Sequence, residues 1–457
     1  MTTPPHRAAV NTDPLAAAIR AVRAAIDSGA DAADAYAQTA SELQIEVRHG
    51  DVEHLQQALT RGLGLRVQSG NRRALVHTTD LSDSALAALA AKAVEIARAL
   101  PPVEEPFALA AAVAVAPHAH QDPGLAEQSL TEPTSWLVAA ERAMAAVKGV
   151  SETVSVKWTQ TNGLVALANS LGLALKEPSC SITIEAEAIA ERDGQSATGA
   201  CYVSAPSRGS LPEAEWVGAA AGERAAMLLG ARPVVSARVP VIFPPWIGWP
   251  LLVWLSAALR GDHVVQGRSY FADRLGDAVA SSLVTIRDTP HNLAGPGHRS
   301  FDGEGTPTKD RALIDRGRLE AYLTDRDSAA KLRVEPGGHA VRDSYREAPN
   351  VGFSNLQLQP GTHDPEAIIA ATGRGLLVTS LSGWWLNLSP ATDAFSSAAM
   401  GIWIEDGERA YPVRGISIAG TIREMIQAID MVGNDLRITG TIATPTFRIA
   451  EMSISGM

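Results

Sequence analysis

The spacing of apolar residues changes character along the first hundred positions. In PLAAAIRAVRAAIDSG (14–29) small apolar residues recur at helical intervals, Thr12 or Asp13 can cap the start, and Gly29 stops the run. Three strand candidates follow, ELQIEVRHG, DVEHLQQAL and GLGLRVQSG, with turn signals at Gly50-Asp51 and Gly70-Asn71, and then a fourth, RALVHTT. DLSDSALAALAAKAVEIARAL returns to helical spacing, capped by Asp80 or Ser82 and broken at Pro101-Pro102. After residues 101–128, rich in Pro and Ala and without a period, the same order recurs. A helix is predicted over 132–147. The strand ETVSVKWTQ is expected to turn at Asn162-Gly163 into LVALANS, and CSITIEAEAIAE and SATGACYVSAP follow. A further helix is predicted from Pro212 to near Gly230. Beyond Val234 short strands and turns dominate, with hairpins at Arg316-Gly317 and Asp406-Gly407 and helices near 269–277, 364–372 and 421–430.

This pattern predicts an α+β chain. Its parts are a disordered N-terminus (1–12), a first α+β unit of antiparallel strands and helices (13–100), a linker (101–128), a second such unit (129–232) and a mostly β C-terminal domain with a few helices (233–457).

One run breaks the alternation. VPVIFPPWIGWPLLVWLSAALRGD (239–262) holds no charge between Arg238 and Arg260. Its length would suit a membrane span. Its prolines, at 240, 244, 245 and 250, each remove an N–H that lipid cannot replace. The reading is a buried strand, VPVIF, a turn, PPWIGWP, and a buried helix over 251–261 with Pro250 in its first turn.

Composition narrows the function classes. The formal net charge is -11, against a nucleic-acid or anionic-membrane partner. No apolar secretory segment is visible at the N-terminus, and Cys180 and Cys201 lie in no zinc-type pattern. Reduced thiols in a cytoplasmic protein are the expectation. His118 and His120 read as a loop pair, since nothing nearby completes a metal site.

No nucleophile elbow, Cys–His signature or HExxH helix is present. The densest polar stretch is RDTPHNLAGPGHRSFDGEGTP (287–307). Asp288, His291, His298, Asp302 and Glu304 could gather around a metal there. The alternative is a surface loop set by its glycines. Asp302 and Glu304, two apart, would share one face of an extended segment and serve substrate binding equally well.

Other stretches carry a resemblance. They are GRSYFADRLGDAVASSLVTIRD, FDGEGTPTKDRALIDRGRLEAYLTDRDSA, NLQLQPGTHDPEAII, RGLLVTSLSGW, GIWIEDGERAYPVRGISIAGTIREMIQAIDMVGNDL and PTFRIAEMSISGM, joined in the N-terminal half by RGLGLRV, TTDLSDSALAALAAKAVEIAR and ANSLGLAL. Together they resemble the TldD/PmbA family of "modulator of DNA gyrase" peptidases, in family order over nearly the whole chain.

The resemblance implies a two-subunit zinc peptidase, one of whose subunits carries HExxxH shortly before a Gly-Asp. Here the Gly-Asp is Gly261-Asp262, and the matching positions are Leu252, Val253 and Ala257. None is a zinc ligand or a base. The cysteine that the catalytic subunit supplies after VGNDL is also missing. The resemblance therefore implies the TldE/PmbA-type, non-catalytic subunit. No cofactor is expected on this chain; zinc is expected in a TldD-type catalytic partner, and the substrate would be an unfolded or leader peptide. Substrate or interface candidates are Gly261, Asp262, Asp302, Glu304, His339 (where the family has Asn after Gly), Asn355, and Trp384 and Trp385, which should point to opposite faces. Other functions kept open are maturation of one ribosomally made peptide, an independent metalloenzyme using the 287–304 loop, and a scaffold or gyrase modulator.

Overall fold

The structure, a computed structural model, describes residues 13–103, 108–116, 129–383 and 393–456. The expected disordered terminus, part of the linker with His118 and His120, and the Trp384-Trp385 pair lie outside the described residues.

The two N-terminal units share one sheet. Strands β1 (Ala32–Arg48), β2 (Asp51–Ser69) and β3 (Arg72–Thr78) come from the first, and β4 (Val150–Asn169), β5 (Ala174–Arg192) and β6 (Gln195–Ala205) from the second. The order is β3-β2-β1-β4-β5-β6, with β1 and β4 antiparallel at the centre from Asp34↔Asn169 to Val47↔Val156. Helices α1 (Pro14–Asp27) and α2 (Asp83–Ala99) cover one end of a face, and α3 (Thr131–Ala145) and α4 (Ala214–Ala226) the other. Asp13 and Ser82 cap α1 and α2 as the sequence predicts, each side chain accepting from a first-turn N–H. Alanines at the α1–α2–sheet contact let these layers approach closely: Ala17, Ala21, Ala33, Ala35, Ala90 and Ala93 are all fully buried.

Two strand assignments need correction. DVEHLQQAL and GLGLRVQSG are one strand of 19 residues, β2. Asn162-Gly163 is no turn but lies inside β4, opposite Ser41 and Ala40 of β1 and Cys180 and Ser179 of β5. Strands on both sides claim its backbone, which overrides the local turn preference. The chain reverses instead beyond Asn169, with Gly172 at φ +86. Elsewhere turn chemistry holds. The first hairpin turns at His49-Gly50, one position before the expected Gly50-Asp51, and there, at Arg316-Gly317 and at Asp406-Gly407 φ is positive at both positions, as hairpins of two residues require.

The C-terminal part begins with β7 (Ala237–Phe243), which leads directly into helix α5 (Pro245–Leu259). PPWIGWP is thus helix rather than turn: Pro245 takes a first-turn position, and Pro250 sits inside. A short helix, α6 (Gly261–Val265), follows. No helix forms over 269–277, which is a series of turns. The remaining strands are β8 (Ile286–Asp288), β9 (Arg311–Asp315), β10 (Arg318–Leu319), β11 (Ala340–Val341), β12 (Asn350–Val351), β13 (Leu356–Leu358), β14 (Arg374–Ser382), β15 (Ala394–Glu405), β16 (Glu408–Thr421), β17 (Ile429–Val432), β18 (Arg437–Thr439), β19 (Ile442–Thr444) and β20 (Phe447–Ser455). The helices are α7 (Arg326–Leu332), α8 (Pro365–Ala370) and α9 (Ile422–Gln427). One sheet runs β10-β9-β8-β13-β19-β18. The other runs β16-β15-β14-β7-β20-β17, and an extra β16–β20 pairing closes five of its strands into a ring.

Helix α5 packs into the core these sheets share. Leu251, Leu252, Trp254, Leu255, Ala258 and Leu259 join one apolar cluster with Val241, Phe243, Leu356, Ile442 and Phe447. A helix enclosed on all sides must be apolar all round, which accounts for the uncharged run. Among the described residues no helix is long and apolar enough to cross a membrane.

Candidate functional site

The face of the N-terminal sheet opposite its helices carries Asp34 and Tyr36 on β1 and Arg66 on β2, with Gly62 and Gly64 beside them. The glycines make room for the C-terminal domain. A Cβ on Gly64 would lie 1.9 Å from the Tyr345 carbonyl oxygen, and one on Gly62 would lie 2.2 Å from the Tyr345 ring. Tyr36, Leu167, Leu173, Leu175, Phe301 and Tyr345 form the apolar part of this junction.

Beside it lies a buried ionic network. The Arg66 guanidinium donates to both Asp34 carboxylate oxygens. Arg342 Nη2 donates to Asp34 Oδ2 at 3.0 Å, and its Nε donates to the Gly303 carbonyl at 2.8 Å. Arg66 Nη2 also lies 3.8 Å from Glu304 Oε1. Burial would raise the Asp34 carboxyl, but Arg66 and Arg342 hold it below the ordinary carboxylate range. Glu304 goes the other way. Burial, with the Asp302 charge adding to it, pushes its carboxyl up to about 8 against the pull of Arg66.

Asp302 and Glu304 are both buried, at 2% and 6% exposure, not on a surface loop. They do not share a face. The chain turns sharply at Gly305 (φ +82). Asp302 Oδ1 accepts the N–H groups of Glu304 and Thr306, both at 2.9 Å, and Oδ2 accepts that of Ala340 at 3.1 Å. Glu304 Oε2 instead accepts the Arg326 N–H at 2.9 Å.

His339 follows Gly338, whose φ of +78 suits glycine. Its Nδ1 accepts the Thr324 N–H at 3.1 Å, which leaves the proton on Nε2, 3.7 Å from Asp288 Oδ2. Burial, reinforced by the Arg299 and Arg311 charges, pushes the imidazole down to about 3, so it is neutral. Asp288 accepts the Ser354 and Asn355 N–H groups. Asn355 clamps the neighbouring loop, accepting from the Gly297 N–H at 3.0 Å and donating to the Thr289 carbonyl at 3.3 Å. The structure thus brings Asp302, Glu304, His339 and Asn355 into one buried polar layer. Sequence reasoning missed its other members, Asp34, Arg66, Arg299 and Arg342. Arg66 stands in RGLGLRV, Arg299 in the polar stretch 287–307 and Arg342 shortly after Gly338, whereas Asp34, among alanines, carries no signal.

Between this layer and the sheet opens a pocket of about 310 Å³, lined among others by Tyr36, Glu177, His298, Arg299, Arg342 and Ser354. Glu177 reaches across from β5 to accept from the Ser300 backbone N–H and hydroxyl. The cleft thus joins polar groups and an aromatic ring, the lining a ligand pocket commonly has.

The suggested metal loop does not converge. Asp288 is occupied by backbone amides. His291 is partly exposed near Asp310, and His298 Nδ1 faces the Gly295 carbonyl at 3.0 Å. Among the described residues no three His, Cys, Asp or Glu side chains are grouped to hold a metal ion. On α5, Leu252 is 1% exposed within the apolar core, and Val253 and Ala257 are partly buried. Hydrocarbon at these positions does not fit zinc. Gly261 donates to the Leu323 carbonyl at 2.7 Å where a Cβ would meet Thr324 at 2.8 Å, and Asp262 takes both forks of Arg260.

Three family models cover most of the chain: "PmbA/TldA metallopeptidase domain 1" over residues 33–97, the "central domain" over 123–229, and the "C-terminal domain" over 236–456. The chain is 30% identical over 430 residues to the Escherichia coli O157:H7 protein named "Metalloprotease PmbA", covering 93% of this chain and 92% of that one. The chain belongs to the PmbA/TldD metallopeptidase family. A Buchnera aphidicola TldD homolog is also 30% identical, but over 213 residues, 46% of this chain and 44% of that one. The fold is that of TldE from Thermococcus kodakarensis, with a TM-score of 0.86 at 20% identity over 96% of this chain and all (100%) of the other.

Proposed function

We propose that this chain is the subunit of a heterodimeric zinc peptidase that carries no metal itself, and that it helps wall the chamber in which an HExxxH-bearing partner cleaves unfolded or leader peptides. The observation that carries this reading is α5: at the positions where the family resemblance sets two histidines and a glutamate, the chain has Leu252, Ala257 and Val253, and Leu252 is sealed into the core. Neither a zinc ligand nor a base can be drawn from these side chains. The pocket between the sheet and the Asp302–Arg342 layer supports a role in holding peptide, since it offers polar groups and an aromatic surface. Extended peptides are commonly held by backbone pairing, which tolerates many sequences.

The test uses the purified chain, an HExxxH-bearing relative, and their mixture, each incubated with unfolded peptide. Elemental analysis of the chain purified without chelator is expected to give no stoichiometric zinc. Cleavage is expected from the mixture and not from this chain. Chelator-sensitive cleavage by this chain alone would overturn the proposal.

A further inference from the structure

Arg299 and Arg342 both line the pocket between the sheet and the polar layer. Each has a buried guanidinium nitrogen with no hydrogen-bond partner among the described residues, Nη2 of Arg299 and Nη1 of Arg342. The Arg342 side chain is 0% exposed. It shares Asp34 with Arg66, and its guanidinium carbon stands 5.1 Å from the centre of the Tyr36 ring. Arg299 has no ion pair among the described residues. Its Nε donates to Ser354 Oγ at 2.8 Å and its Nη1 to the Ala340 carbonyl at 3.4 Å, both neutral acceptors. Its fork can therefore turn to an anion without breaking an ion pair. The nearby acids are engaged elsewhere. Asp288 and Asp302 accept backbone N–H groups, and Glu177 accepts from Ser300. A buried N–H without an acceptor is costly, and the acceptor that suits a guanidinium best is an anionic oxygen.

We propose that this pocket binds one carboxylate carried on a short apolar body, with Arg299 and Arg342 on the carboxylate oxygens. Tyr36, Val165, Phe301 and Phe353 give the same pocket an apolar wall for that body. At about 310 Å³ it lies at the low end of ligand sites, roughly 300–1,000 Å³, so it takes a single residue or small acid rather than a length of extended chain. Two acidic side chains, Glu177 and Asp302, also line it, which disfavours a dianion such as phosphate. The carboxylate has two sources, the C-terminus of a peptide or a free small acid. The first rests on the peptide-holding reading of this pocket and deepens it; the second stands without it.

Calorimetric titration of the full chain alone tests this with N-acetylleucine, the tripeptide Ala-Ala-Leu, the C-terminal amide of each, and inorganic phosphate. Each acid is expected to bind at least about tenfold more tightly than its amide. Arg299→Gln should weaken both acids by about tenfold or more and leave the amides unchanged, with the circular dichroism of the wild type. Arg316→Gln, at an exposed turn, should change neither. A tripeptide acid about tenfold tighter than N-acetylleucine supports the site and assigns it to a peptide C-terminus; equal binding of the two supports it and assigns it to a small acid. Equal affinity for acid and amide overturns the proposal. So does no binding of either acid up to about 10 mM, or tighter binding of phosphate than of both acids. Should Arg299→Gln fail to fold, the acid–amide comparison on the wild-type chain still decides. The titration needs neither the HExxxH relative nor cleavage, so a failure of the peptidase reading leaves its result standing, and absent binding leaves the argument from α5 untouched.

Discussion

Replacing Glu304 by glutamine should make stability less dependent on pH above about 5. Glu304 is 6% exposed and receives one backbone N–H, from Arg326. Burial, with Asp302 close by, raises its carboxyl to about 8 from an ordinary 4.5. The folded chain therefore keeps a proton that the unfolded chain releases. Stability from this proton is fully present below pH 4.5 and is lost as pH rises to about 8. The interval of 3.5 pH units (8 minus 4.5), at about 1.4 kcal/mol each, gives roughly 5 kcal/mol as an upper bound. Arg66, 3.8 Å away, works against this by favouring the charged form. Glutamine keeps a neutral group of the same shape at every pH. Calorimetric melting of wild type and Glu304→Gln should thus diverge from pH 5 to pH 8, with the variant gaining. At about 2 °C per kcal/mol for a unit of roughly 220 residues, the divergence should reach several degrees and at most about 10 °C. Melting temperatures that run parallel, within about 1 °C, across that range would refute the reasoning.

His339→Asn should flatten the acid side of the same profile: the imidazole is pushed from 6.5 down to about 3, so its contribution is present above pH 6.5 and lost as pH falls toward 3, measurable as melting temperature from pH 4 to 7. In wild type this slope opposes that of Glu304 between pH 4.5 and 6.5, so the two variants should tilt the curve in opposite senses there. Leu255→Ala, at a position 0% exposed in the core around α5, should cost about 2–5 kcal/mol in denaturant unfolding, and a loss below about 1 kcal/mol would contradict the enclosed helix. Gly64→Ala should loosen the junction between the sheet and the C-terminal domain, because its Cβ would meet Tyr345 backbone at 1.9 Å. Faster hydrogen exchange around residues 340–350 is expected, with Gly209→Ala, where nothing lies within 4 Å, as the unaffected control.

Local chemistry was read well wherever it decided the outcome locally. The Asp13 and Ser82 caps and the Arg316-Gly317 and Asp406-Gly407 hairpins depend on a few adjacent residues, and the structure has them. Asn162-Gly163 misled because its fate is set by strands 120 residues upstream and nearly 20 downstream, at Ser41 and Cys180. The pairing of β1 with β4 leaves no period in the sequence either, so the joining of the two units in one sheet could not be read from it. The polar layer was half legible for the same reason. Asp302, Glu304, His339 and Asn355 sit in stretches dense with Gly and polar residues. Asp34 lies among alanines, and its meaning depends on Arg342, 308 positions away.

The uncharged run is accounted for by α5, whose setting limits what the helix can carry. Its surroundings are hydrocarbon from both C-terminal sheets, and Leu252 and Leu255 are sealed within them. An imidazole or carboxylate placed at such positions would be stripped of water, a cost of several kcal/mol unless a partner replaces the lost hydrogen bonds. A metal ion is one such partner, since its bonds to the donors offset their desolvation. A helix held between two sheets can therefore carry metal donors together with their metal, or hydrocarbon, but not bare donors. With Leu, Val and Ala at the three positions the chain has taken the second course. Restoring only Leu252→His should then destabilise the core without creating a zinc site, because Val253, Ala257 and the segment after Asp435 offer the metal nothing further to bind.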